Sequence, residues 1–422
     1  MPSLRETMSR PEERVLRQLA QAVLFEGLAE PEPAAGARRL AWRLGPHRFR
    51  AAGTLGPFGR PRLDPGSIER ADGEGWVPAD LASLVDALPA AAEARARLRT
   101  ELEQTVALCR WNAENLPPPA RRALSFAALD AALWEGHPYH PSFKARTGFT
   151  LEDHRRYGPE AAAPFRLEWL AVRRDAIALA LPGAEAEFWR AELGAEGEVL
   201  ARRLAAAGHS LDTHALLPVH PWQMRRLEGA ALRPWLAEGR AVALGIAGPR
   251  YVASQSLRTL HNLDDPSAAS VKLPLAVVST SSLRILDPHF VLTGPALSDW
   301  LAGLVAGDVL LRGRVTVLRE YAAALADRDG PLAGHLAAIW RESPRLVPGE
   351  AALPFNALCV HEADGRPFVA PWLDRYGRDA WLDVWSRSRS CRSGTFWRPT
   401  ASPWRRMART RFWSTAMAGR NG

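Results

Sequence analysis

The sequence has few cysteines and no long apolar run. Only three of its 422 residues are cysteine, Cys109, Cys359 and Cys391, and their spacings match no metal-ligand motif. This scatter excludes a disulfide framework and gives no indication of a zinc site. Apolar runs such as LPLAVV fall well short of the roughly 18 residues that span a bilayer, and the N-terminus is charged where a signal peptide needs apolar residues. We therefore expect a cytoplasmic protein with no membrane partner.

Lysine is also scarce. Only Lys144 and Lys272 among the 54 basic residues are lysines. A GC-rich genome accounts for the excess of arginine, since arginine has GC-rich codons and lysine does not. A compact ammonium nevertheless binds phosphate differently from a planar guanidinium. The two lysines are therefore candidates for specific contacts.

The net charge of +8 is concentrated at one end of the chain. Residues 386–422 contain nine arginines and no acidic residue, so residues 1–385 carry a net charge of −1. A nearly neutral body lacks the basic surface of a nucleic-acid-binding domain. We expect no nucleic-acid partner.

Helical and extended patterns are grouped along the chain and do not alternate strictly. The chain is long enough for two or three domains, and with 47% hydrophobic and 24% charged residues its composition is that of a globular protein. Helical spacing is found at 11–29, 79–115, 119–134, 184–207 and from 296 onward. Strand patterns are found in LAWRLGPHRFRAAGTLG, FRLEWLAV, ALLPVHP, YVASQSLRTL and VKLPLAVVST. In the first of these, two strands are expected to pair around Gly45-Pro46. This grouping favours an α+β fold over a doubly wound sheet.

A stiff loop, GHPYHPSFKARTGF, carries four residues that can be cationic: His137, His140, Lys144 and Arg146. Its prolines and glycines fix the shape of the loop and let its backbone approach a ligand. Four such groups suit a polyanion such as a nucleotide triphosphate. The alternative is that the two histidines only cap helices or bind backbone groups.

The segment YVASQSLRTL predicts a strand with Ser254, Ser256, Arg258 and Leu260 on one face. A hydroxyl two residues from a guanidinium forms a workable phosphate clamp. A solvated strand face would have the same pattern.

The segment VKLPLAVVSTSSLRIL predicts a buried strand that Lys272 opens, followed by an N-cap cluster at residues 279–282 that starts a helix. Arg284 follows Thr280 by four residues, so both would lie on one helix face. Free N–H groups, hydroxyls and a guanidinium make such a turn a seat for a carboxylate. Ordinary capping beside a surface arginine is the alternative.

The segment LPVHPWQ contains His220 between Val219 and Pro221. A histidine with these neighbours indicates a core residue held by the chain around it. We expect no catalytic role for it.

These segments together resemble the IucA/IucC family, the siderophore synthetases that work without a nonribosomal peptide template. The segments GHPYHPSFKARTG, LPVHPWQ, SQSLRT and KLPLAVVSTSSLR match the family's motifs in order and spacing, between about residues 118 and 286. The resemblance implies an ATP-dependent, AMP-forming ligase with thumb, fingers and palm regions that serves iron acquisition. Such enzymes use ATP and Mg²⁺ to adenylate citrate or a related acid, and an amine, hydroxylamine or alcohol then displaces AMP.

The resemblance also implies roles for individual residues. Catalytic roles in the loop that closes over the nucleotide fall to His137, His140, Lys144 and Arg146. Contacts to the ATP phosphates fall to Ser256, Arg258, Thr259 and Lys272. The substrate carboxylate is assigned to Thr280, Ser281 and Arg284. No protein ligand for a metal is identified, and a homodimer is expected.

The family pattern divides the chain into four parts. We expect a thumb-like domain at 1–135, a fingers domain at 136–340, a palm remnant at 341–385 and a disordered basic tail at 386–422. The family's palm motif, G-I-x-L-E-x-H-x-Q-N, is missing from this sequence. We expect an incomplete palm and impaired ligation. The alternative is a catalytically inactive protein that binds ATP and a carboxylate.

The basic tail has an explanation at the level of the gene. Read one base out of register, codons for residues 396–410 can encode LLAAHGIALEAHGQN, and the invariant codons of Trp397, Trp404 and Met407 fit without adjustment. This reading contains the palm motif. We therefore expect a frameshift near residues 385–386.

Overall fold

The computed structural model describes residues 10–33, 36, 38–229, 231–280, 282–348 and 350–383, and the backbone of 412–414. Within these ranges the helices are α1 (Pro11–Phe25), α2 (Leu81–Asp86), α3 (Ala92–Asn115), α4 (Phe126–Ala131), α5 (Leu151–Tyr157), α6 (Glu185–Leu193), α7 (Ala195–Ala206), α8 (Pro221–Glu228), α9 (Arg233–Ala237), α10 (Pro288–Gly307) and α11 (Ala370–Tyr376).

The strands form four sheets. In chain order they are β1 (Glu30–Glu32), β2 (Arg39–Leu44), β3 (His47–Leu55), β4 (Pro61–Leu63), β5 (Glu69–Asp72), β6 (Gly75–Pro78), β7 (Arg146–Thr147), β8 (Phe165–Arg173), β9 (Ile177–Ala180), β10 (His214–Val219), β11 (Ala241–Ala253), β12 (Thr259–Asn262), β13 (Ser270–Lys272), β14 (Leu275–Ser279), β15 (Ser282–Arg284), β16 (Glu320–Ala326), β17 (Ala337–Arg341), β18 (Ala352–Pro354) and β19 (Phe412–Ser414). The α+β prediction is confirmed.

The N-terminal part is a six-stranded sheet packed against α1, α2 and α3. Its strands run in the order β1-β2-β3-β5-β6, and β4 pairs with β3. The predicted β2–β3 hairpin is confirmed, with Gly45 at φ 55° in its turn. Val15, Trp42, Leu84 and Leu102 are wholly buried between the sheet and the helices. This apolar core holds the N-terminal part together.

An eight-stranded antiparallel sheet forms the centre of the fold, in the order β10-β8-β11-β12-β13-β17-β16-β9. Successive side chains point to opposite faces. Trp340 packs on one face against Phe188 and Trp189 of α6. Its neighbour Ile339 packs on the other face with Val291 of α10. Both faces of the sheet therefore carry a core.

A three-stranded sheet, in the order β15-β14-β7, stands beside the central sheet. Phe149, Trp222, Leu257 and Val277 form its apolar cluster. Trp222 begins α8, so this small sheet is packed onto the helix that follows His220. The cluster brings three of the sequence motifs into one region.

The helix α10 is the one described helix that is long and apolar enough, by length and composition alone, to cross a membrane. It lies on β16, and Asp299 on it pairs with Arg319. Phe290 and Trp300 are about half exposed, at 52% each. Ser298 and Asp299 interrupt its apolar residues, so the expectation of short apolar runs is not contradicted.

The prediction that a helix starts in the serine cluster was wrong. The strands Leu275–Ser279 and Ser282–Arg284 form the β14–β15 hairpin, with Ser279 paired to Ser282 and Thr280 at φ 57°. The next helix, α10, starts only at Pro288 and is capped by Asp287. A two-residue hairpin turn favours such positive φ values, and pairing of β14 with β7 holds the chain extended.

Four further predicted segments differ in the structure. The YVASQSLRTL segment is a hairpin, since β11 ends at Ala253 and β12 begins at Thr259. The predicted helix at 184–207 is divided at Gly194, whose φ is 53°. The regions 79–115 and 119–134 each contain a shorter helix than predicted, because Pro89 separates α2 from α3 and an irregular segment precedes α4.

The predicted tail lies largely outside the described residues. Residues 412–414 are the exception, and their backbone forms β19, which pairs with β18. The frameshift and the disorder of 386–422 stay predictions.

Truncation of a central core residue tests the sheet. Leu170 in β8 is wholly buried between the neighbouring strands β10 and β11. We expect Leu170→Ala to lower the free energy of unfolding by about 2–5 kcal/mol through lost burial and a cavity, measured by urea denaturation. Leu55→Ala, at a position 63% exposed, is the control and should cost less than about 1 kcal/mol. Equal losses would place Leu170 outside the core.

Candidate functional site

Backbone hydrogen bonds join the stiff loop to the β14–β15 hairpin. Arg146 and Thr147 form β7, in which Arg146 pairs with Ser279 of β14. The Thr280 N–H also donates to the Ala145 carbonyl oxygen at 3.2 Å. The two motifs, more than a hundred residues apart in the sequence, thus form one continuous surface.

Arg258 joins that hairpin to the serine-rich turn. Its Nη1 donates to the Ile285 carbonyl oxygen at 2.7 Å, and its own carbonyl accepts from the Leu273 N–H at 2.8 Å. Arg258 therefore connects the segment after β15 with the segment between β13 and β14. The phosphate and carboxylate motifs predicted from the sequence are adjacent.

The turn between β11 and β12 is held by its own hydroxyls and by α4. The Ser254 and Ser256 hydroxyls are 2.8 Å apart, and Ser256 Oγ accepts from the Thr259 N–H at 3.2 Å. Leu257 has a φ of 65°. The Gln255 N–H donates to Oδ2 of Asp130 in α4 at 2.7 Å. These contacts fix a turn in which Ser256 is exposed.

The Arg258 guanidinium is electrostatically unsatisfied. Burial and, to a smaller extent, neighbouring Arg284 lower the pKa of Arg258 to about 10, against a smaller opposing effect of Glu320. Its Nε is buried and has no hydrogen-bond partner among the described residues. A buried donor without a partner is costly, so an anion bound here would be stabilised.

Lys272 lies on the face of the central sheet that packs against α10. Thr259 of β12 and Ile339 of β17 are its strand partners, so these side chains share the face toward α10. Its Nζ donates to Oε1 of Glu320 at 3.0 Å. Thr259 and Lys272 thus form a cationic and hydroxyl-bearing face beside the turn, and Arg258 lies near it, since the Glu320 charge also acts on Arg258.

Arg284 and Thr280, two of the residues predicted to bind the substrate carboxylate, lie together at the hairpin turn. Arg284 Nη2 donates to the Ser279 carbonyl at 2.9 Å and to the Thr280 hydroxyl at 3.1 Å. The predicted proximity of Thr280 and Arg284 is confirmed, although a hairpin and not a helix produces it. Ser281 lies outside the described residues.

Lys144 and Arg146 point into the protein, where both bind Glu160. Lys144 Nζ lies 2.5 Å from Glu160 Oε1, and Arg146 Nη2 lies 2.9 Å from each carboxylate oxygen. Arg146 Nη1 also contacts His154 Nδ1 at 2.7 Å, while His154 Nε2 contacts Asn112 Oδ1 at 2.9 Å. All five side chains are at least 95% buried. A buried network therefore anchors the end of the loop.

Two pKa shifts describe this network. Burial alone would raise the pKa of Glu160, but Arg146 and Lys144 outweigh it and hold the pKa well below its usual range. Burial lowers the pKa of His154 to about 3. The neutral ring accepts from Arg146 at Nδ1 and donates to Asn112 from Nε2. The network carries two cations and one carboxylate.

His137 and His140 lie on the outer part of the loop. His137 Nδ1 accepts from the backbone N–H groups of Tyr139 and His140, at 3.2 and 3.0 Å. Gln18 of α1 donates to the carbonyls of both histidines. His137 therefore binds backbone groups while its side chain is exposed, and its catalytic role stays a prediction.

His220 is a core residue, as predicted. Its Nδ1 accepts from the Trp222 N–H at 3.1 Å and caps α8, while its ring packs against Tyr157 and Phe165. Burial lowers its pKa to about 3. A neutral, enclosed ring supports the structural role.

Three carboxylates of this region were missed from the sequence: Glu160, Asp130 and Glu320. They lie 16, 125 and 48 residues from the partners Lys144, Gln255 and Lys272. No spacing rule connects such positions. The sequence offered one general signal for these carboxylates, which is that buried cations require counter-ions.

The described residues fit phosphate better than they fit a metal. None of their histidines, cysteines and carboxylates form a group of three that could hold a metal ion. The unsatisfied guanidinium, the ammonium and the serine and threonine hydroxyls are donors suited to a phosphate.

Removal of the Glu160 charge tests the buried network. We expect Glu160→Gln to lower the free energy of unfolding by about 3–5 kcal/mol, because two cations would lose their buried counter-ion. Glu152→Gln is the matched control. Its ion pairs with Arg155 and Arg156 are exposed, so the loss should stay below about 1 kcal/mol. Similar urea midpoints for both variants would contradict the assignment.

Acid should destabilise the fold through buried histidines. Burial lowers the pKa of His154 and His220 to about 3 and of His261 to about 4. Unfolded histidines bind protons below about pH 6.5, so the unfolded chain binds more protons than the folded protein. The free energy of unfolding therefore decreases as the pH decreases. Asp130 opposes this, since burial raises its pKa to about 6. We expect a net loss between pH 7 and pH 5 in urea denaturation.

A substitution isolates one histidine. His220→Asn keeps a side chain that can cap α8 and should reduce the pH-dependent loss by about 2 kcal/mol at pH 5. His47→Asn, on the exposed edge of β3, should leave the loss unchanged. A stability independent of pH in the unsubstituted protein would be the contrary result.

Comparison with known proteins places this geometry in a family. The model of the IucA / IucC family matches residues 125–360. A citryl-spermidine/3,4-dihydroxybenzoyl-citryl-spermidine:spermidine ligase of Bacillus anthracis is 32% identical over 87% of this chain and 64% of its own. The chain therefore spans less than two thirds of this relative.

Solved structures show the same fold. The petrobactin biosynthesis protein AsbB of Bacillus anthracis matches with a TM-score of 0.81 and 29% identity, over 89% of this chain and 66% of AsbB. The aerobactin synthetase IucC of Klebsiella pneumoniae matches with a TM-score of 0.77 and 26% identity, over 88% and 68%. Since the family model covers more than half of the sequence, the protein belongs to the IucA/IucC family.

Proposed function

We propose that this protein acts in siderophore biosynthesis as an ATP-dependent ligase that joins a citrate-like carboxylic acid to an amine, hydroxylamine or alcohol, and that its incomplete palm impairs ligation by this chain. The observation that carries the proposal is the adjacency of two anion sites. Arg258, held by the Ile285 carbonyl, lies between the turn carrying Ser256 and the hairpin carrying Arg284. Cations therefore stand where a carboxylate and a phosphate would meet.

The proposed reaction needs this arrangement. A carboxylate oxygen attacks the α-phosphorus of ATP, forming an acyl–oxygen–phosphorus bond as the bond to pyrophosphate breaks. The nucleophile then attacks the acyl carbon and AMP leaves with the bridging oxygen. Two anions repel each other during the first step, and fixed cations between them reduce that cost.

The proposed roles follow the positions of the side chains. The phosphates would be bound by Ser256, Arg258, Thr259 and Lys272. The carboxylate would be bound by Thr280, Ser281 and Arg284. For the loop we propose that Lys144 and Arg146 act through Glu160 to fix the backbone, which leaves His137 and His140 on the outer side to close over the nucleotide.

The names of the relatives support the substrate class. The Bacillus anthracis ligase is named for citryl-spermidine and spermidine, and an Escherichia coli relative, 32% identical, is an aerobactin synthase. We propose a citrate-like acid and an amine or hydroxylamine for this chain, with ATP as its cofactor. Mg²⁺ would enter bound to the nucleotide phosphates and water, as it commonly does.

The organisation of the chain is part of the proposal. We propose a thumb-like part at 1–135, fingers at 136–340, a palm remnant at 341–385 and a basic tail at 386–422, in a cytoplasmic homodimer. Separate cores in the six-stranded and eight-stranded sheets support the first division.

A second candidate is a catalytically inactive protein that binds ATP and a carboxylate. The described residues provide the phosphate face but no group of three potential metal ligands. ATP binding without release of AMP would favour this candidate.

Calorimetric titration with MgATP tests the phosphate face. We expect Arg258→Met and Lys272→Met each to weaken binding at least about tenfold, because each removes a charge-assisted contact. Arg250→Met is the control, since Arg250 is exposed and pairs with Asp264. Arg284→Met should retain MgATP affinity but weaken the binding of citrate, titrated in the presence of MgATP, at least about tenfold. Unchanged MgATP binding by both Met variants of the phosphate face would refute the proposed site.

A further inference from the structure

Lys272 is bound by a carboxylate that stands on the proposed phosphate face. Glu320 Oε1 accepts from Lys272 Nζ at 3.0 Å, and the two side chains are 23% and 26% exposed. A partly exposed pair of this kind can be separated at modest cost. The ammonium is therefore shared between Glu320 and any anion that enters.

Glu320 is fixed in position by the neighbouring helix. Its backbone N–H donates to Oγ of Ser298 in α10 at 3.1 Å. Gly294 of the same helix leaves room for the carboxylate, because a Cβ there would lie 3.0 Å from Glu320 Oε2. A larger residue at position 294 would therefore require a small shift of the Glu320 carboxylate.

The charge of Glu320 reaches other cations of the same face. It raises the pKa of Arg258 and Arg341, partly offsetting the larger lowering by burial. Arg341 is the strand partner of both Glu320 and Ser270. One carboxylate thus balances a group of cations that would otherwise repel one another.

We propose that Glu320 is a resident counter-ion that competes with the nucleotide phosphates for Lys272 and thereby sets the affinity of the anion site. The inference rests on the proposed function, because it assumes that phosphate binds at Lys272. Glu320 stabilises the cations while the site is free of ligand. An incoming polyphosphate replaces it at Lys272 and is repelled by its charge.

The test is calorimetric titration of MgATP and of inorganic tripolyphosphate into the full chain and its variants. Glu320→Gln keeps the size of the side chain and removes its charge. We expect it to bind both probes about tenfold more tightly, since like charges at a binding site cost affinity. We also expect a lower melting temperature without ligand and a larger rise on adding MgATP, which a purely structural role would not produce.

Glu342→Gln is the matched control. Its side chain is 25% exposed, close to the value for Glu320, but it pairs with Arg319. We expect its affinity for both probes to equal that of the unsubstituted protein. Equal tightening in both variants would overturn the inference, because net charge alone would then explain the effect.

Lys272→Met separates the inference from the proposed function. If Lys272→Met weakens binding while Glu320→Gln leaves it unchanged, the phosphate site stands and the role of Glu320 is refuted. If Lys272→Met has no effect, Lys272 does not bind phosphate and the inference fails; if Arg258→Met also has no effect, the proposed phosphate site fails as well.

A second substitution at position 320 is the control for an effect on folding. Glu320→Asp keeps the charge but shortens the side chain by one methylene, which moves the carboxylate away from Lys272. We expect tightening smaller than for Glu320→Gln. Loss of cooperative unfolding in both variants would overturn the inference, since Glu320 would then be required for the fold itself.

Discussion

The ion pairs between Glu160 and the two cations Lys144 and Arg146 are the interaction on which the site depends. Arg146 is also a strand residue, and its backbone pairs with Ser279. The buried carboxylate therefore fixes β7, β7 fixes the β14–β15 hairpin, and the segment after that hairpin binds Arg258 through the Ile285 carbonyl. The buried ion pairs of Glu160 thus help to fix the position of Arg258 relative to the hairpin that carries Arg284.

A site for anions has to exist before its ligand arrives, and its cations repel one another in that state. The protein meets this constraint differently for each cation. Lys144 and Arg146 are neutralised internally by Glu160, Lys272 is paired with partly exposed Glu320, and Arg258 is held by a carbonyl that carries no net charge. The affinity of each cation for an anionic ligand should rise as its own counter-charge within the protein becomes weaker. Of these four cations, Arg258 is the least compensated and Lys272 is intermediate, so these two are the ones available to a phosphate.

Local patterns predicted local structure well. The β2–β3 hairpin, strand β8 and the core position of His220 follow from alternation and turn residues, and all three are confirmed. The counter-ions could not be predicted, because Glu160 and Glu320 reach their lysines only through tertiary structure. The grouping of the motifs came from family resemblance, and only the structure shows that β7 pairs with β14.

The serine cluster at 279–282 shows why a correct proximity followed from a wrong element. Residues four apart meet on a helix, and they also meet across a tight hairpin, so the closeness of Thr280 and Arg284 did not distinguish the two. The chemistry does differ. A helix start would offer free N–H groups to a carboxylate, whereas here the Thr280 N–H is bound by Ala145 and the Thr280 hydroxyl donates to the Ser279 carbonyl at 2.5 Å. Recognition of a carboxylate at this turn must therefore depend on the Arg284 guanidinium far more than on the backbone.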